Sequence, residues 1–261
     1  MRKIIYQKCI ELTNRAWLSN LIRQFTRSKI SKIIIPFFVK IYKIDMSEFE
    51  YPYNEYTTLH ELFIRKLKKG TRLIDSNINT VISPVDATIE SAGSIEPSTD
   101  IKVKGKMYSL KEMLGNDEKA VQYRDGYFIV LYLSPKHYHR IHSPVNGKVI
   151  SRWELGDRSY PVNRLGLEYG KNPLAKNYRS ISEINHKTGK MALVKVGAMF
   201  VNSIEYTNGS MNLRKGEEIA YFSFGSTVVL LFEKDTFLID ERISVPHPVK
   251  MGEVIGHLVK K

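Results

Sequence analysis

The sequence predicts an α+β protein with a mainly antiparallel β-sandwich, or barrel-sandwich-like, core and an N-terminal basic amphipathic helical segment. Three observations carry that expectation. Apolar residues recur at helical spacing as far as Leu67, short β-branched and aromatic runs between Gly, Pro, Asn and Asp turns dominate afterwards, and the net charge of +13 is most lopsided in the first segment. With 261 residues, 43% of them hydrophobic, the chain is long enough to bury one sizeable core, alone or with a small appendage.

The first element is the basic one. Before Glu48-Phe49-Glu50-Tyr51-Pro52-Tyr53, which reads as a linker, stand Arg2, Lys3, Lys8, Arg15, Arg23, Arg27, Lys29, Lys32, Lys40 and Lys43 against only Glu11, Asp45 and Glu48. Between them Trp17, Leu18, Leu21, Ile22, Phe25, Ile33, Ile34, Ile35, Phe37 and Phe38 fall mostly at helical spacings. Basic amphipathic helices with Trp and Phe suit an anionic membrane surface, and the same pattern suits helices that pack on the core and solvate a basic face. The longest apolar run, Ile33 to Val39, contains Pro36 and is far shorter than the ~20 residues a spanning helix needs, so this segment is expected to lie on a membrane rather than cross it. No stretch has the apolar core and cleavage site of a signal peptide, and the lone Cys9 excludes an intramolecular disulfide; the expected setting is the cytoplasmic side. No zinc finger, RNP motif or other nucleic-acid module accompanies the charge, so nucleic acid is not an expected partner.

Past the linker, Thr58 to Leu67 predicts one more amphipathic helix, with Leu59, Leu62, Phe63 and Leu67 on one face, and Ser109 to Leu114 a helical turn. Strands are predicted at Val81–Ile82, Thr88–Ser91, Tyr127–Leu133, Gly147–Trp153, Met191–Val201, Glu218–Phe222, Thr227–Phe232 and Val254–Val259. Ser83-Pro84-Val85-Asp86-Ala87-Thr88-Ile89 is echoed by Ser143-Pro144-Val145-Asn146-Gly147-Lys148-Val149. The echo points to two related hairpin units, although one pair of heptapeptides does not establish a repeat fold. In it, Asn146 reads as a turn residue.

Chemistry concentrates at three places. Phe224-Gly225-Ser226-Thr227 sets a small nucleophile at the head of the apolar run Val228 to Phe232. Gly225 has no Cβ, so its carbonyl can be approached closely, and the Ser226 hydroxyl can attack it once a base takes the proton. Tyr138-His139-Arg140-Ile141-His142-Ser143-Pro144 supplies two histidines as candidate bases, and Ser83-Pro84-Val85-Asp86 a carboxylate in an otherwise apolar stretch. Asp86, a histidine and Ser226 thereby provide the orienter, base and nucleophile of a triad, whose chain order is free to vary. Other readings stand beside this one. His137, His139, His142 and Asp86 could ligate a metal, but no recognised metal framework surrounds them. A conventional Ser-His-Asp hydrolase loses ground because Gly225-Ser226-Thr227 is not the G-x-S-x-G elbow and a strand follows it. A non-enzymatic membrane-binding β-module would not need Ser226 at all. His247 and His257, beside Pro and Gly, read as solvated or locally bonded.

These blocks resemble the phosphatidylserine decarboxylases. The resemblance rests on Phe63-Ile64-Arg65-Lys66-Leu67-Lys68-Lys69-Gly70-Thr71-Arg72, Ser83-Pro84-Val85-Asp86, Tyr138 to Pro144, Val196-Gly197-Ala198, and Lys215-Gly216-Glu217-Glu218 leading to Phe222-Ser223-Phe224-Gly225-Ser226-Thr227. The blocks keep the family's order over most of the chain. Ala87 stands where Gly is usual after the Asp, and Leu73-Ile74 replaces a Pro-Ile pair.

The resemblance implies a pyruvoyl-dependent carboxy-lyase, made as a zymogen, that converts phosphatidylserine to phosphatidylethanolamine in phospholipid biosynthesis. It implies that Ser226 attacks the Gly225 carbonyl with His142 as base and Asp86 holding the His142 ring. β-Elimination and hydrolysis then leave one chain ending at Gly225 and another beginning with a pyruvoyl cofactor made from Ser226. That ketone forms a Schiff base with the serine headgroup and takes up the electrons of decarboxylation, with His139 handling a proton. The implied organisation is a membrane-associating helical segment, residues 1–50, and a catalytic β-rich domain, residues 51–261, cut into tightly associated chains 1–225 and 226–261. The expected place is the cell membrane, peripheral and cytoplasmic, on phosphatidylserine in an anionic bilayer, with no metal and with the oligomeric state left open.

Overall fold

The computed structural model describes residues 16–198, 204–223 and 225–259. Expectations that fall on residues 1–15, on Phe224, on Val201 and on the side chains of Trp17 and Leu18 lie outside the described residues.

The N-terminal segment is helical, as its spacing predicts. Helix α1 (Ala16–Arg27) leads through a 3-10 stretch (Lys29–Ile34) into α2 (Ile35–Tyr42), where Pro36 sits in the first turn and its missing N–H breaks no helical bond. Ile35 packs inward on Tyr56, Leu59 and Leu62, and the Ser31 hydroxyl accepts from the Leu59 N–H. The opposite side is apolar and open to solvent: Ile30, Ile33, Phe37 and Ile41 are each at least 65% exposed. Helix α3 (Leu59–Phe63) is capped by the Thr58 hydroxyl, which accepts from the Glu61 N–H. The helix expected to reach Leu67 ends at Phe63 instead. Leu67 forms an antiparallel bridge with Phe49, and Arg65 turns inward to donate to the carbonyls of Leu62, Lys136 and His137. The same bridge corrects the linker reading: Phe49 is buried against Ile44, Tyr138 and Met251, while Glu48 pairs with Arg72 and Lys250.

The remainder is mostly strand. In chain order these are β1 (Thr80–Ile82), β2 (Ala87–Ser94), β3 (Asp100–Val103), β4 (Lys106–Ser109), β5 (Tyr127–Leu133), β6 (Arg140–His142), β7 (Gly147–Leu155) and β8 (Arg179–His186). They continue as β9 (Gly189–Gly197), β10 (Ile204–Tyr206), β11 (Asn212–Leu213), β12 (Glu218–Phe222), β13 (Ser226–Phe232), β14 (Phe237–Ile239), β15 (His247–Val249) and β16 (Val254–Leu258). Eight of them make one open antiparallel sheet, in the order β11-β7-β8-β9-β13-β5-β2-β15; β10-β12-β6 and β1-β16-β14 form two smaller sheets. β13 lies inside the large sheet, and all seven of its residues are buried, as its unbroken apolar run requires.

Alternation along β13 divides the interior into two layers. Val228, Leu230 and Phe232 face an inner core with Leu131, Leu133 and Leu193, closed by Ile141, Ala220 and Phe222 of one small sheet and Val81 and Ile255 of the other. Val229 and Leu231 face a second core, closed by the β3–β4 hairpin and by the helices α4 (Leu110–Leu114), α5 (Asp117–Gln122), α6 (Arg164–Tyr169) and α7 (Pro173–Lys176). The α+β sandwich expectation therefore holds. Sequence patterning missed β8, which carries five Ser, Glu, Asn and His residues among its eight and so lacks an apolar run.

The internal echo is a structural duplication. The Ile82 N–H donates to Pro144 and the His142 N–H to Pro84, at 3.1 and 2.9 Å, so the two Ser-Pro-Val segments bond reciprocally. Each then receives a Gly-Glu turn. Ser83 donates to Glu253 and accepts from Gly252, while Ser143 donates to Glu217 and accepts from Gly216. Gly216 and Gly252 have φ of 80° and 95°, where a side chain would be strained. The fourth residue of each copy accepts the N–H just before the glycine: Asp86 from Met251 at 2.7 Å, Asn146 from Lys215 at 2.8 Å.

Candidate active site

The candidate nucleophile sits where β13 begins. Ser226 is in register with Leu133 on β5 and Gly197 on β9, and the Gly225 carbonyl just before it accepts from the Ala198 N–H at 3.1 Å. Ser226 shares the parity of Val228 and Leu230, so its hydroxyl points into the inner core. It is fully buried, and its Oγ has no hydrogen-bond partner; Ser223 Oγ and Thr227 Oγ1 are also unpartnered. A buried unbonded hydroxyl costs about 1–3 kcal/mol, a cost ordinary strand packing would avoid by placing an apolar residue there. Beside it lies a cavity of about 300 Å³, lined by Phe38, Tyr42, Tyr132, Val162 and Gly225 among others. Half-buried Gly225 and buried Ser226 both line it. A larger cavity of about 390 Å³, lined by Tyr56, Arg65 and Arg140, does not include Ser226.

The two candidate histidines fall on opposite sides of the small sheet. The His139 carbonyl accepts from the Phe222 N–H at 3.0 Å, continuing the β6–β12 ladder, and His139 shares the parity of Ile141. That parity turns it toward the inner core, the layer that Ser226 Oγ enters. Its Nδ1 donates to the His137 carbonyl at 2.8 Å, which puts the proton on Nδ1 and leaves Nε2 as a lone pair with no partner. Burial, aided by the Arg65 charge, holds its pKa well below the usual value, so the ring is a neutral base at pH 7. Phe63 covers the ring at 4.0 Å between centroids.

His142 has the opposite parity. Its Nδ1 donates to the Gly216 carbonyl at 2.9 Å and its Nε2 accepts from the Tyr138 hydroxyl at 3.0 Å; burial lowers its pKa. The expected Asp86–His142 hydrogen bond is not formed. Asp86 Oδ1 is taken by the Met251 N–H and Oδ2 by Arg72 at 2.9 Å, so both ring nitrogens and both carboxylate oxygens are already engaged. Asp86 is thus not hydrogen-bonded to His142.

Sequence reasoning missed Tyr138, Phe63 and the Ala198 N–H as neighbours of these groups, although all three stand in the blocks that carried the resemblance. A backbone donor and a ring packed across sheets leave no periodic mark. Among the described residues, no three His, Cys, Asp or Glu side chains gather to hold a metal ion. His257 is half exposed beside Asp240, and His247 lies on the edge strand β15.

The comparisons with known proteins agree with this architecture. The profile of the family described as Phosphatidylserine decarboxylase matches residues 59–257. Two similar chains are each named phosphatidylserine decarboxylase proenzyme: one of Anoxybacillus flavithermus is 58% identical over 100% of this chain and 98% of its own, and one of a Geobacillus species is 59% identical over 99% and 100%. A third of that name, from Geobacillus kaustophilus, is 53% identical over 98% and 97%. The protein is therefore an enzyme of the decarboxylase class. It belongs to the phosphatidylserine decarboxylase family.

Proposed function

We propose that this chain is a precursor that cuts itself between Gly225 and Ser226, and that the mature enzyme converts phosphatidylserine to phosphatidylethanolamine using a pyruvoyl group derived from Ser226. The observation that carries this reading is the unbonded Ser226 hydroxyl beside a Gly225 carbonyl already held by the Ala198 N–H. The proenzyme names of the relatives support it. Ser226 Oγ bonds to the Gly225 carbonyl carbon while the Ala198 N–H steadies the oxygen, and the C–N bond then breaks to leave an ester and a free amine. Loss of the Ser226 Cα proton expels the Gly225 carboxylate, and water replaces the nitrogen as ammonia. The pyruvoyl ketone supplies an electron sink for the carbanion left by carbon dioxide.

The chain's own residues fit that chemistry. The 300 Å³ cavity at Gly225 is apolar at its Phe38 and Tyr42 wall, which belongs to the helix whose outer face carries Phe37 and Ile41. A lipid approaching from a membrane on that face meets the cavity. Among the described residues no helix is long and apolar enough to cross a bilayer, which suits peripheral attachment. After cleavage, β13 stays bonded between β5 and β9, β15 to β2 and β16 to β1, holding residues 226–261 in place.

The family resemblance gives His142 the Ser226 proton, with Asp86 behind it, and His139 the proton of decarboxylation. A second reading exchanges the histidines, and the register favours it, since His139 and Ser226 face one layer. Intact mass under denaturing conditions tests both. We expect a fragment of about 4 kDa, the share of residues 226–261 in the 30.1 kDa chain, and a single species for Ser226→Ala. A wild-type chain that decarboxylates phosphatidylserine while remaining one 30.1 kDa species overturns self-cleavage. Cleaved His139→Ala with uncleaved His142→Ala supports the first division of labour, and the reverse supports the second.

A further inference from the structure

Three successive residues clamp the segment that carries His139. The Phe63 ring lies on the His139 ring at 4.0 Å between centroids, the Ile64 carbonyl accepts from Arg140 Nε at 2.9 Å, and Arg65 Nη2 donates to the carbonyls of Lys136 and His137 at 2.7 and 2.9 Å. Arg65 is 1% exposed; its Nη1 donates to the Leu62 carbonyl, and the Phe49 ring covers its guanidinium at 4.2 Å. Its bonded partners are all neutral main-chain carbonyls, and burying a cation to hold a turn that a neutral donor can hold is costly.

The His137 carbonyl shows what the cation adds. The same oxygen accepts from His139 Nδ1 at 2.8 Å, so Arg65 and His139 donate to the two lone pairs of one acceptor. Arg65 fixes where that oxygen points, and the oxygen fixes which ring nitrogen carries the proton. Nε2 is left without a partner. Two donors on one oxygen lie within ~6 Å of each other, so the guanidinium also stands close enough to oppose a second proton on the ring.

We propose that Arg65 is a positioning residue for His139: through the shared His137 carbonyl it holds the ring as the neutral Nδ1–H tautomer, with Nε2 as the atom that exchanges a proton. This rests on the two readings above, both of which give His139 a proton to carry, that of Ser226 in one and that of decarboxylation in the other. The ionisable groups around the ring are Arg65 and His137. Burial is the largest influence against the imidazolium, Arg65 and His137 add to it, and the His137 carbonyl favours the imidazolium. Burial, with Lys136 and Arg65 adding to it, holds His137 itself at about 4, so at pH 7 the charge beside His139 is that of Arg65.

The test is 15N NMR of the full-length Ser226→Ala chain labelled at histidine, with His139→Gln identifying the His139 signals. In this parent chain the ring should be the Nδ1–H tautomer and stay neutral down to about pH 5. A unit charge at ~6 Å and an effective dielectric of ~20 moves a proton equilibrium by about two pH units, so Arg65→Met should raise the titration by about one to two units and bring in the Nε2–H tautomer, whereas Arg65→Lys, which keeps the charge, should titrate within about half a unit of the parent. With Ser226 restored, the step that His139 serves, cleavage read by intact mass or decarboxylation read by released carbon dioxide, should have the His139 limb of its rate profile moved up by the same amount and returned by Arg65→Lys. Arg65→Gln, which keeps a donor for the carbonyls and loses the charge, decides the matter if Arg65→Met does not fold. A parent ring in the Nε2–H tautomer, a titration unmoved in the neutral variants, or slowing by one factor at every pH overturns the proposal. A His139→Ala chain that cleaves and decarboxylates at wild-type rates instead defeats the readings on which it stands.

Discussion

Replacing Asp86 with Asn separates what its carboxylate does for the fold from what it does for chemistry. The duplicated motif supplies the control, because Asn146 already occupies the equivalent place and accepts the Lys215 N–H at 2.8 Å. Asn at position 86 can therefore keep the Met251 N–H, now bonded at 2.7 Å, and lose only the charge pair with Arg72. Arg72 retains Glu48 at 2.9 Å, so the loss is about 1–2 kcal/mol, toward the lower end for a charged hydrogen bond. Asp86→Ala also strands the Met251 N–H in a buried site and should lose about 3–4 kcal/mol in all. At ~2–4 °C per kcal/mol for a chain of this size, thermal unfolding should shift by about 3–6 °C for Asn and about 10 °C for Ala. Both variants are compared with wild type by calorimetry in a Ser226→Ala background, which keeps the chain whole. Equal losses for Asn and Ala would refute the equivalence of the two motifs. Cleavage of Asp86→Asn with Ser226 restored then reports the chemistry alone: unimpaired maturation removes Asp86 from the catalytic group.

Three further outcomes are expected. Burial holds the His186 pKa at about 4, against ~6.5 in an unfolded chain, so its contribution is complete above about pH 6.5 and is lost as pH falls toward 4, about 3 kcal/mol in all; His186→Gln should flatten the pH dependence of the melting temperature in that window, and an unchanged slope counts against it. Phe37 and Ile41 are 65% and 72% exposed, so Phe37→Glu with Ile41→Glu should leave the melting temperature unmoved yet weaken sedimentation with anionic vesicles at least about tenfold, and equal binding removes this face as the membrane contact. Ala198→Pro deletes the N–H that holds the Gly225 carbonyl and should slow self-cleavage by about 100-fold in a chain that still folds by calorimetry, whereas wild-type speed denies that donor a role.

The parts of the fold that were legible in the sequence are those in which one strand carries its own pattern. Tyr127–Leu133, Glu218–Phe222 and the run after Ser226 are dense in β-branched and aromatic residues, and all three are strands. Lys195 and β8 were illegible for a common reason. Polar residues that bond to one another across adjacent strands carry no apolar run, and only the pairing of β8 with β9 brings Ser182 to Lys195. The helix expected to run to Leu67 failed because tertiary bonds outweigh propensity there: Arg65 satisfies two carbonyls more than 70 residues away.

The site divides in the same way. Its chemical groups could be named from local motifs, but which face each group takes depends on a register that no local pattern records. His139 and His142 are three residues apart, and a strand sends residues at odd separation to opposite faces. One of them therefore had to leave the layer that Ser226 enters. The ladder with β12 makes His142 the one that leaves and binds Gly216 and Tyr138, while His139 keeps an unpartnered Nε2 inside. The duplicated Ser-Pro-Val segments impose that outcome, because the His142 N–H is the donor that locks one copy to Pro84 of the other. Moving His142 into the inner layer would require breaking that reciprocal pair. The histidine that closes the repeat and the one turned to the inner layer are thus held apart by the same hydrogen bonds that build the fold.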